Sequence, residues 1–356
     1  MKLLRLAAIA SLTAALACAA TGFQTGKLEL KSVGPLAFGP DGILFIGDSM
    51  NAAVFALDTG DTVKSAAPQI EVTGIDAKIA ALLGTEPRQI SINDIKVNPL
   101  SKNVYISVSR GRGPDALPVI VRLDSAAKMT ALPLDSVPYS VARIPNPPAS
   151  NLAAERRNPR LETITQLGWV DGKVIVAGLS NEEFASNLRT IPFPFAQADR
   201  GASITIFHGS HGEYETQAPV RTFVPMKIAG VDQIVAAYTC TPLVTIPVSA
   251  LKPGAKVTGK TIAELGMGNR PLDMIAYRKD GHDFILLANS YRGTMKLSAE
   301  GLDEYPAIED GVVLAGVKGH YVSAIKDVIH LAALDDENAL VLAGRGSLDL
   351  RSVPLP

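Results

Sequence analysis

Cysteine, tryptophan and net charge are all scarce in this sequence. Two cysteines, Cys18 and Cys240, and one tryptophan occur in 356 residues. Because Cys18 falls in an N-terminal segment that we expect to be removed, an intrachain disulfide is excluded and the core must hold the fold. The net charge is −1 at pH 7. No basic cluster stands out, which argues against nucleic acid as a partner.

Long apolar runs are missing after the first 20 residues. Within residues 1–20, Lys2 and Arg5 precede an apolar stretch over 6–17 and then small residues, the pattern of a secretion signal. That stretch is too short to span a bilayer, so no transmembrane helix is expected. The sequence therefore predicts a signal peptide over 1–20 and a single domain over 21–356, exported to the periplasm or out of the cell. Cleavage at an Ala-x-Ala site and processing that leaves Cys18 as a lipid anchor both remain open.

What the sequence does contain is a repeated pattern of short strands. In residues 33–58 three apolar runs are separated by a Gly-Pro-Asp-Gly turn and a Gly-Asp-Ser loop. The most apolar strand of this unit recurs in ILFIGDS (43–49), VYISVSR (104–110), VIVAGLS (174–180), IVAAYTC (234–240), FILLANS (284–290) and LVLAGR (340–345). Each follows an apolar strand and a turn, and four precede a further strand, at 54–58, 119–124, 294–298 and 347–353.

Strands repeated at intervals of about 50 to 70 residues are typical of a β-propeller. We predict an all-β fold with six blades of four-stranded antiparallel sheets. A seventh blade is open only if the Pro-rich stretch 126–160 is more than a loop. We expect residues 27–33 to supply the outer strand of the last blade and so close the ring. The one helical pattern lies at 75–83.

The phrase Gly-Ile-Leu-Phe-Ile-Gly-Asp-Ser-Met-Asn over 42–51 resembles the repeat of six-bladed NHL propellers, and Asn93-Asp94 followed by Pro99 resembles a phrase of the gluconolactonase/regucalcin-like branch. The resemblance implies a divalent ion held by Glu, Asn and Asp, which would polarise a lactone carbonyl and activate water. Asn93, Asp94 and Asp273 fit that set. The family's Glu-Gly-Pro, however, is Val33-Gly34-Pro35 in this chain, so the metal-binding glutamate is missing.

One position near the start of each first strand is a candidate metal site at the axis. Counted back from the turn, the residues there are Pro35, Asp94, Gln166, Met226, Asp273 and Asp327. Converging carboxylates repel one another unless a cation or shared protons relieve them, and oxygen ligands suit Ca²⁺ or Mg²⁺. The alternative is that these side chains bind backbone N–H groups of adjacent loops and hold the blades in register.

A second set of residues stands where the loops begin on the same face of the predicted ring. Mixed charges there suit a small polar or carboxylate ligand, which arginine grips with two hydrogen bonds. Ordinary solvated loops would look the same. The rim candidates are Asp48, Arg110, Asn181, Glu182, Glu183, Asn289, Arg292 and Arg345.

Three further features carry weaker hypotheses. The long stretch 179–201, with Ile-Pro-Phe-Pro-Phe at 191–195, predicts a lid over the opening, a docking segment or a cap on the blade edge. His208, His211 and Glu213 have metal-like spacing, but the hairpin is expected on the face opposite the loops. Cys240 has no activating base near it in sequence, so a semi-buried thiol is expected rather than a nucleophile.

Two functions follow, in order of preference. The first is a non-catalytic binding or scaffold module of the cell envelope, whose partner is a small polar ligand, an envelope protein or a polysaccharide. The second is a divalent-metal-dependent lactonase-like hydrolase with its site at the channel mouth. Redox chemistry with a bound quinone finds no support, because the sequence lacks Cys-x-x-Cys-His and its one tryptophan rules out tryptophan-docking repeats.

Overall fold

The computed structural model describes residues 22–150, 158–195, 197–240 and 242–356. The predicted signal peptide and Cys18 lie outside the described residues. Within them the chain forms six small antiparallel sheets around an axis, a six-bladed β-propeller, which confirms the predicted fold class. No helix in these ranges has the length and apolar character needed to cross a membrane.

The first ten strands build two blades and contribute to a third. In chain order they are β1 (Gln24–Gly26), β2 (Leu36–Phe38), β3 (Ile43–Asp48), β4 (Ala53–Asp58), β5 (Glu71–Val72), β6 (Ile90–Val97), β7 (Val104–Arg110), β8 (Leu117–Leu123), β9 (Met129–Ala131) and β10 (Val137–Arg143). Helix α1 (Ile75–Leu82) lies between β5 and β6, and short 3-10 turns span Pro40–Gly42, Pro87–Gln89, Gly113–Asp115 and Pro159–Glu162.

The remaining strands build four blades in regular succession. They are β11 (Gln166–Val170), β12 (Lys173–Leu179), β13 (Ser186–Pro192), β14 (Ala202–His208), β15 (Glu213–Glu215), β16 (Thr222–Ile228), β17 (Val231–Ala237), β18 (Pro242–Pro247), β19 (Lys256–Thr258), β20 (Lys260–Leu265), β21 (Pro271–Lys279), β22 (His282–Asn289), β23 (Gly293–Ser298), β24 (Leu314–Gly316), β25 (His320–Tyr321), β26 (Val328–Ala333), β27 (Asn338–Ala343) and β28 (Asp349–Pro354). A 3-10 turn spans Val248–Ala250.

We number the blades by the chain order of their innermost strands. From the axis outwards, blade 1 is β2-β3-β4-β10 with β1 at its edge, and blade 2 is β6-β7-β8-β9. Blade 3 is β11 to β15 with β19 alongside, blade 4 is β16-β17-β18-β20-β24, blade 5 is β21-β22-β23-β25 and blade 6 is β26-β27-β28-β5. The second strand of every blade is the apolar segment aligned above, buried on both faces because it lies between two neighbouring sheets.

The order of blades around the ring differs from their order in the chain. Hydrophobic clusters join blade 1 to blade 2, blade 2 to blade 6, and then 6 to 5, 5 to 4, 4 to 3 and 3 back to 1. Blades 1 and 2 are therefore exchanged relative to a simple sequential ring. Segments 59–70 and 132–136 make the two crossings. In the described part of the 126–160 stretch, β9 and β10 complete blades 2 and 1, so this part forms no seventh blade.

The ring closes differently from the prediction for residues 27–33. The outer strand of blade 6 is β5, which pairs with β28 through Val72 and Leu350. Residues 27–33 form no strand, and the preceding β1 pairs with β10 at the edge of blade 1. The prediction was wrong because the crossing from blade 1 carries a later segment to the last blade, and Leu28 and Val33 instead pack between blades 1 and 2.

The aromatic residues of the 179–201 stretch pack into the core. Strand β13 occupies the middle of this stretch, and Phe193 and Phe195 follow its far end. Phe193 packs edge-on against Phe45 at 5.2 Å between ring centroids, and Trp169 stacks on Phe45 at 5.5 Å. The lid hypothesis is therefore wrong and the edge-cap alternative is right: these rings cover the core between blades 1 and 3.

Asp61 anchors the first crossing to blade 2. Its carboxylate accepts hydrogen bonds from Ser101 Oγ (2.7 Å), Asn103 Nδ2 (3.0 Å) and the hydroxyl of Tyr105 (2.9 Å). Burial acts to raise the pKa of Asp61, but these donors outweigh it and the pKa lies below its usual value. The charged form of Asp61 therefore stabilises the crossing.

We expect Asp61→Asn to lower the free energy of unfolding by about 1–3 kcal/mol, since a charged acceptor of three buried donors is lost. Because the folded pKa is depressed, the contribution of Asp61 is complete above about pH 4 and is lost as pH falls through the folded pKa. Urea unfolding from pH 7 to pH 2 tests both effects. Asp58→Asn, three residues earlier, is the control. Equal stability of the two variants would contradict this role.

Candidate functional site

Three ionisable side chains from different blades converge at the axis. Asp94 in β6, Asp273 in β21 and His330 in β26 place possible ligand atoms within 4.8 Å of one another. Each residue directly follows a β-bulge in its innermost strand, between Ile92 and Asp94, between Pro271 and Asp273, and between Val328 and His330. The bulge re-aims the side chain inwards, as bulges near functional sites often do.

Lys96 places its ammonium group between the two carboxylates. Its Nζ lies 2.7 Å from Asp94 Oδ1 and 3.9 Å from Asp273 Oδ2. Burial acts to lower the pKa of Lys96, but Asp273 and Asp94 outweigh it and the pKa is raised. Lys96 is therefore a charged cation at neutral pH.

The two carboxyls differ in their electrostatic surroundings. Burial raises the pKa of Asp94, and the neighbouring charge of Asp273 adds to this. Burial also acts to raise the pKa of Asp273, but Lys96, His330 and the N–H of Leu331 outweigh it, so the pKa is lowered. Asp273 is thus the carboxyl that stays ionised furthest into acid.

The axial carboxylates also bind the backbone of a neighbouring blade. Asp94 Oδ2 accepts from the N–H of Leu36 in blade 1 (2.8 Å), and Asp273 Oδ2 accepts from the N–H of Leu331 in blade 6 (3.0 Å). Gln166 of blade 3 donates to Thr222 of blade 4 through Nε2 (3.3 Å). This arrangement matches the alternative in which the slot residues hold the blades in register.

Two other predicted metal ligands, Asn93 and Gln166, line the same axial cavity as Asp94 and Asp273, whereas Asp327 does not. Asn93 donates through Nδ2 to Val33 O (2.8 Å) and to Ser109 Oγ (2.8 Å). Asp327 is exposed, and its Oδ1 accepts from Arg345 Nε at 2.8 Å. In blade 6 the side chain at the axis is His330, because the number of residues between the axial position and the following turn differs between blades. In blade 4 the axial position belongs to Thr222, while Met226 packs in the core between blades 4 and 5.

A divalent ion fits these residues poorly. The axial cavity is about 100 Å³ in volume and is lined by residues of all six blades, including Asn93, Thr165, Arg221 and His330. The ammonium group of Lys96 lies where an ion bridging Asp94 and Asp273 would have to lie. Sequence reasoning missed Lys96, although its i+2 spacing from Asp94 puts both side chains on one face of the strand.

Two of the eight rim candidates, Asp48 and Asn289, are buried and bind other residues of the loops. Asp48 is fully buried, and its carboxylate accepts from the N–H groups of Lys31 and Asn51 and from the hydroxyl of Ser32. Asn289 is buried and accepts from Asn269 Nδ2 at 2.9 Å. The remaining candidates are exposed or half-buried on the loop face, which carries the connections between second and third strands: Arg110, Asn181, Glu182, Glu183, Arg292 and Arg345.

Two adjacent loops of the loop face form an exposed platform, which we define as Met267, Arg270, Tyr291 and Arg292. The residue Tyr291 is 79% exposed and Met267 is 55% exposed. Beneath them Asn269 is 1% exposed, and its Oδ1 accepts from the N–H groups of Tyr291 and Arg292 (3.1 Å each). A buried asparagine therefore fixes the backbone that presents these side chains.

A larger surface cavity, about 970 Å³ in volume, lies between blades 1 and 2. The N-terminal segment crosses it, and its lining includes Lys31, Arg110, Tyr139 and Arg143. Rim candidate Arg110 thus faces this cleft and not the axis.

His208 and His211 lie on the loop face, contrary to the prediction. Strand β14 runs antiparallel to β13, pairing Ala202 with Leu188 and Ser203 with Asn187, so its C-terminal end points towards the loops. The hairpin connects the fourth and fifth strands of blade 3, not the third and fourth, and the extra strand reverses its direction. Cys240, in the loop after β17, is close to both histidines.

No family model and no curated protein matches this chain. Solved structures with a similar arrangement include a putative oxidoreductase (glucose dehydrogenase) from Thermus thermophilus, with 12% identity and a TM-score of 0.39 over 93% of this chain and 100% of that one. The PQQ-bound aldose sugar dehydrogenase of Streptomyces coelicolor is 12% identical, with a TM-score of 0.30 over 94% of this chain and 99% of that one. The plexin A4 extracellular region is 9% identical, with a TM-score of 0.41 over 94% of this chain and 40% of that one. At these identities the similarity concerns the fold alone.

Replacing Asp273 tests the axial cluster against an exposed carboxylate. We expect Asp273→Asn to lower the free energy of unfolding at pH 7 by about 1–3 kcal/mol, because a buried charged acceptor is lost. The depressed pKa of Asp273 means that its stabilisation is present above about pH 4 and disappears as pH falls through the folded pKa. The variant should therefore lose less stability than the wild type between about pH 4 and pH 2.

Asp327→Asn is the matched control, since its ion pair with Arg345 is exposed on both sides. Denaturant unfolding should show a change below about 1 kcal/mol for this variant. A larger loss for Asp327→Asn than for Asp273→Asn would contradict the assignment of the axial cluster.

Proposed function

We propose that this protein is a non-catalytic binding module of the cell envelope that presents its loop face to an acidic partner protein. The observation that carries the proposal is the state of the axis. Lys96 lies between its two carboxylates, and each carboxylate also accepts a backbone N–H group of a neighbouring blade. The axial cavity of about 100 Å³ is also well below the roughly 300–1,000 Å³ of small-molecule sites, which argues against a small-molecule ligand at the axis.

The residue types of the platform favour a protein partner. Tyrosine, methionine and arginine are enriched in protein interfaces, and tyrosine and arginine are frequent hot spots. An exposed tyrosine ring supplies apolar area at low entropic cost, while an arginine guanidinium can hold a carboxylate with two hydrogen bonds. Arg270 and Arg292 lie on either side of this apolar area, so aspartate or glutamate side chains would complement the platform.

The platform is pre-organised, which reduces the cost of binding. Two further hydrogen bonds link the loops, in addition to those that Asn269 accepts. The Ser290 N–H donates to Arg270 O (2.9 Å), and the Arg270 N–H donates to Ser290 Oγ (3.0 Å). Arg292 packs over Gly266, where a φ of 108° favours glycine and a side chain would collide with the guanidinium. Little backbone ordering remains to be done when a partner arrives.

Lactonase-like hydrolysis remains the second candidate, favoured by the convergence of Asp94, Asp273 and His330. It depends on the resemblance to gluconolactonase-like propellers, which implies an axial Ca²⁺ or other divalent ion. The residues present fit this ion poorly, because Lys96 occupies the space between the carboxylates and Val33 replaces the expected glutamate. No step of such a reaction can be assigned to this chain's residues.

The envelope location rests on the predicted signal peptide. Export would place the propeller in the periplasm or outside the cell, and processing at Cys18 would tether it to a membrane through lipid.

The paired substitution Tyr291→Ala/Arg292→Ala tests the binding surface. A photo-reactive amino acid at Met267, introduced into the exported protein in its own cells, should cross-link one protein partner. Purified partner and propeller should then bind, and the double variant should weaken binding at least tenfold, since hot-spot truncations cost about 2 kcal/mol or more each. Added salt should slow association with an acidic partner.

The matched control is Val231→Ala/Arg278→Ala, two exposed residues on the face opposite the loops. It should leave both cross-linking and affinity unchanged. Cross-links only to polysaccharide, or equal losses in both double variants, would overturn the proposal. Calcium-dependent hydrolysis of a lactone by the wild type that is lost in Asp273→Asn would establish the second candidate instead.

A further inference from the structure

Two histidines and the cysteine meet between blades 3 and 4, well away from the axis. His208 ends β14 of blade 3, His211 lies in the following turn, and Cys240 lies in the loop after β17 of blade 4. Possible ligand atoms of the three side chains lie within 4.8 Å of one another. The histidine rings are 4.0 Å apart between centroids. Residues that are distant in the chain thus form one compact group.

His208 is the buried member of this group, whereas His211 is exposed and Cys240 is half-buried. His208 is 3% exposed, and neither of its ring nitrogens has a hydrogen-bond partner among the described residues. Nearby, Glu264 accepts from the N–H of Gly209 through Oε1 at 2.6 Å, while its buried Oε2 also has no partner among them. A buried imidazole nitrogen without a partner costs free energy unless something binds it.

A carboxylate orients both imidazoles. Glu215 Oε1 lies 2.9 Å from His208 Nδ1 and 2.5 Å from His211 Nδ1. Histidines that bind a metal through one ring nitrogen usually have the other bonded to a carboxylate or carbonyl, which fixes the ring and raises its basicity. Glu215 is hydrogen-bonded to His211 Nδ1 and lies within ion-pair distance of His208 Nδ1, so the Nε2 atoms are the ones left for a ligand.

The chemistry of the group selects the metal. One thiolate with two imidazoles is a set that borderline and soft metals prefer, whereas Ca²⁺ and Mg²⁺ require oxygen ligands. In a tetrahedral zinc site with bonds of about 2.0 to 2.3 Å, ligand atoms are about 3.5 Å apart. Small side-chain rotations would bring the present atoms to that spacing.

We propose that His208, His211 and Cys240 bind one Zn²⁺ ion, oriented by Glu215, in a site that joins blades 3 and 4. The fourth tetrahedral position is left to a water molecule or another bound group. The ion would link the β14–β15 hairpin to the β17–β18 loop, two segments otherwise separated by a blade boundary. The N–H of Cys240 donates to Asn269 O (2.9 Å), so the site adjoins the asparagine that supports the platform.

Direct metal titration of the mature, reduced protein tests the site. We expect one Zn²⁺ per chain in competition with a chromophoric chelator, together with a rise in melting temperature, because the ion binds only the folded state. Co²⁺ in place of Zn²⁺ should give visible bands of a tetrahedral site and a near-ultraviolet thiolate-to-cobalt band. Bound Zn²⁺ should also protect Cys240 from alkylation.

Three variants make the test specific. Cys240→Ser should abolish the thiolate-to-cobalt band, and Glu215→Gln should weaken Zn²⁺ binding by about 10–100-fold, as loss of a carboxylate behind a ligand does. His282→Gln is the matched control, because His282 also pairs with a glutamate, Glu300, but is exposed. Melting in EDTA shows whether each variant is folded.

The outcomes that support the zinc site differ from those that overturn it. Loss of stoichiometric Zn²⁺ binding in Cys240→Ser, with binding intact in His282→Gln, would support the site. Absence of binding at micromolar Zn²⁺, or binding that survives Cys240→Ser with no thiolate-to-cobalt band in the wild type, would overturn it. Binding lost only in Asp273→Asn would place the ion at the axis instead.

Discussion

The pairing of a half-buried lysine, Lys96, with two buried aspartates is the interaction on which the centre of this propeller depends. Without Lys96, Asp94 and Asp273 would face each other across the axis as uncompensated charges in a dry environment, which is costly. With it, each carboxylate can accept backbone N–H groups from an adjacent blade. The cluster thus connects blades 1, 2, 5 and 6, which include the boundary where the last blade meets blade 2.

The chain segment that crosses this boundary accounts for the exchanged order of blades 1 and 2. The chain leaves blade 1, passes under blade 2 and supplies the outer strand of blade 6 before returning to build blade 2. Asp61 fixes this crossing by accepting three hydrogen bonds from blade 2. The ring is therefore closed by an early segment, which is held by the hydrogen bonds of Asp61 and by the pairing of β5 with β28. The axial ion cluster stabilises the contact between the blades that this segment connects.

How much the sequence could predict depended on whether a feature was local. Alternating apolar strands and Gly/Asp turns identified the second strand of every blade and helix α1, because periodicity and turn chemistry act over a few residues. Blade order and the partners of β5 and β10 could not be predicted, since pairing between distant edge strands leaves little local pattern. At the axis Asp94 and Asp273 were found. His330 was missed because a bulge shifts the register of its strand, and Lys96 was missed although its i+2 spacing from Asp94 indicated it. Cys240 and His208 were both noted, yet only the topology brings them together.

The most direct test of this account is the unfolding free energy of Lys96→Met, measured by urea denaturation at pH 7. Removing one partner of a buried charge cluster should cost about 3–5 kcal/mol. Adding Asp94→Asn and Asp273→Asn to Lys96→Met should recover part of that loss, because the unpaired charges are then gone. If Lys96→Met unfolds at the same urea concentration and with the same cooperativity as the wild type, the axial ion cluster does not hold the ring together.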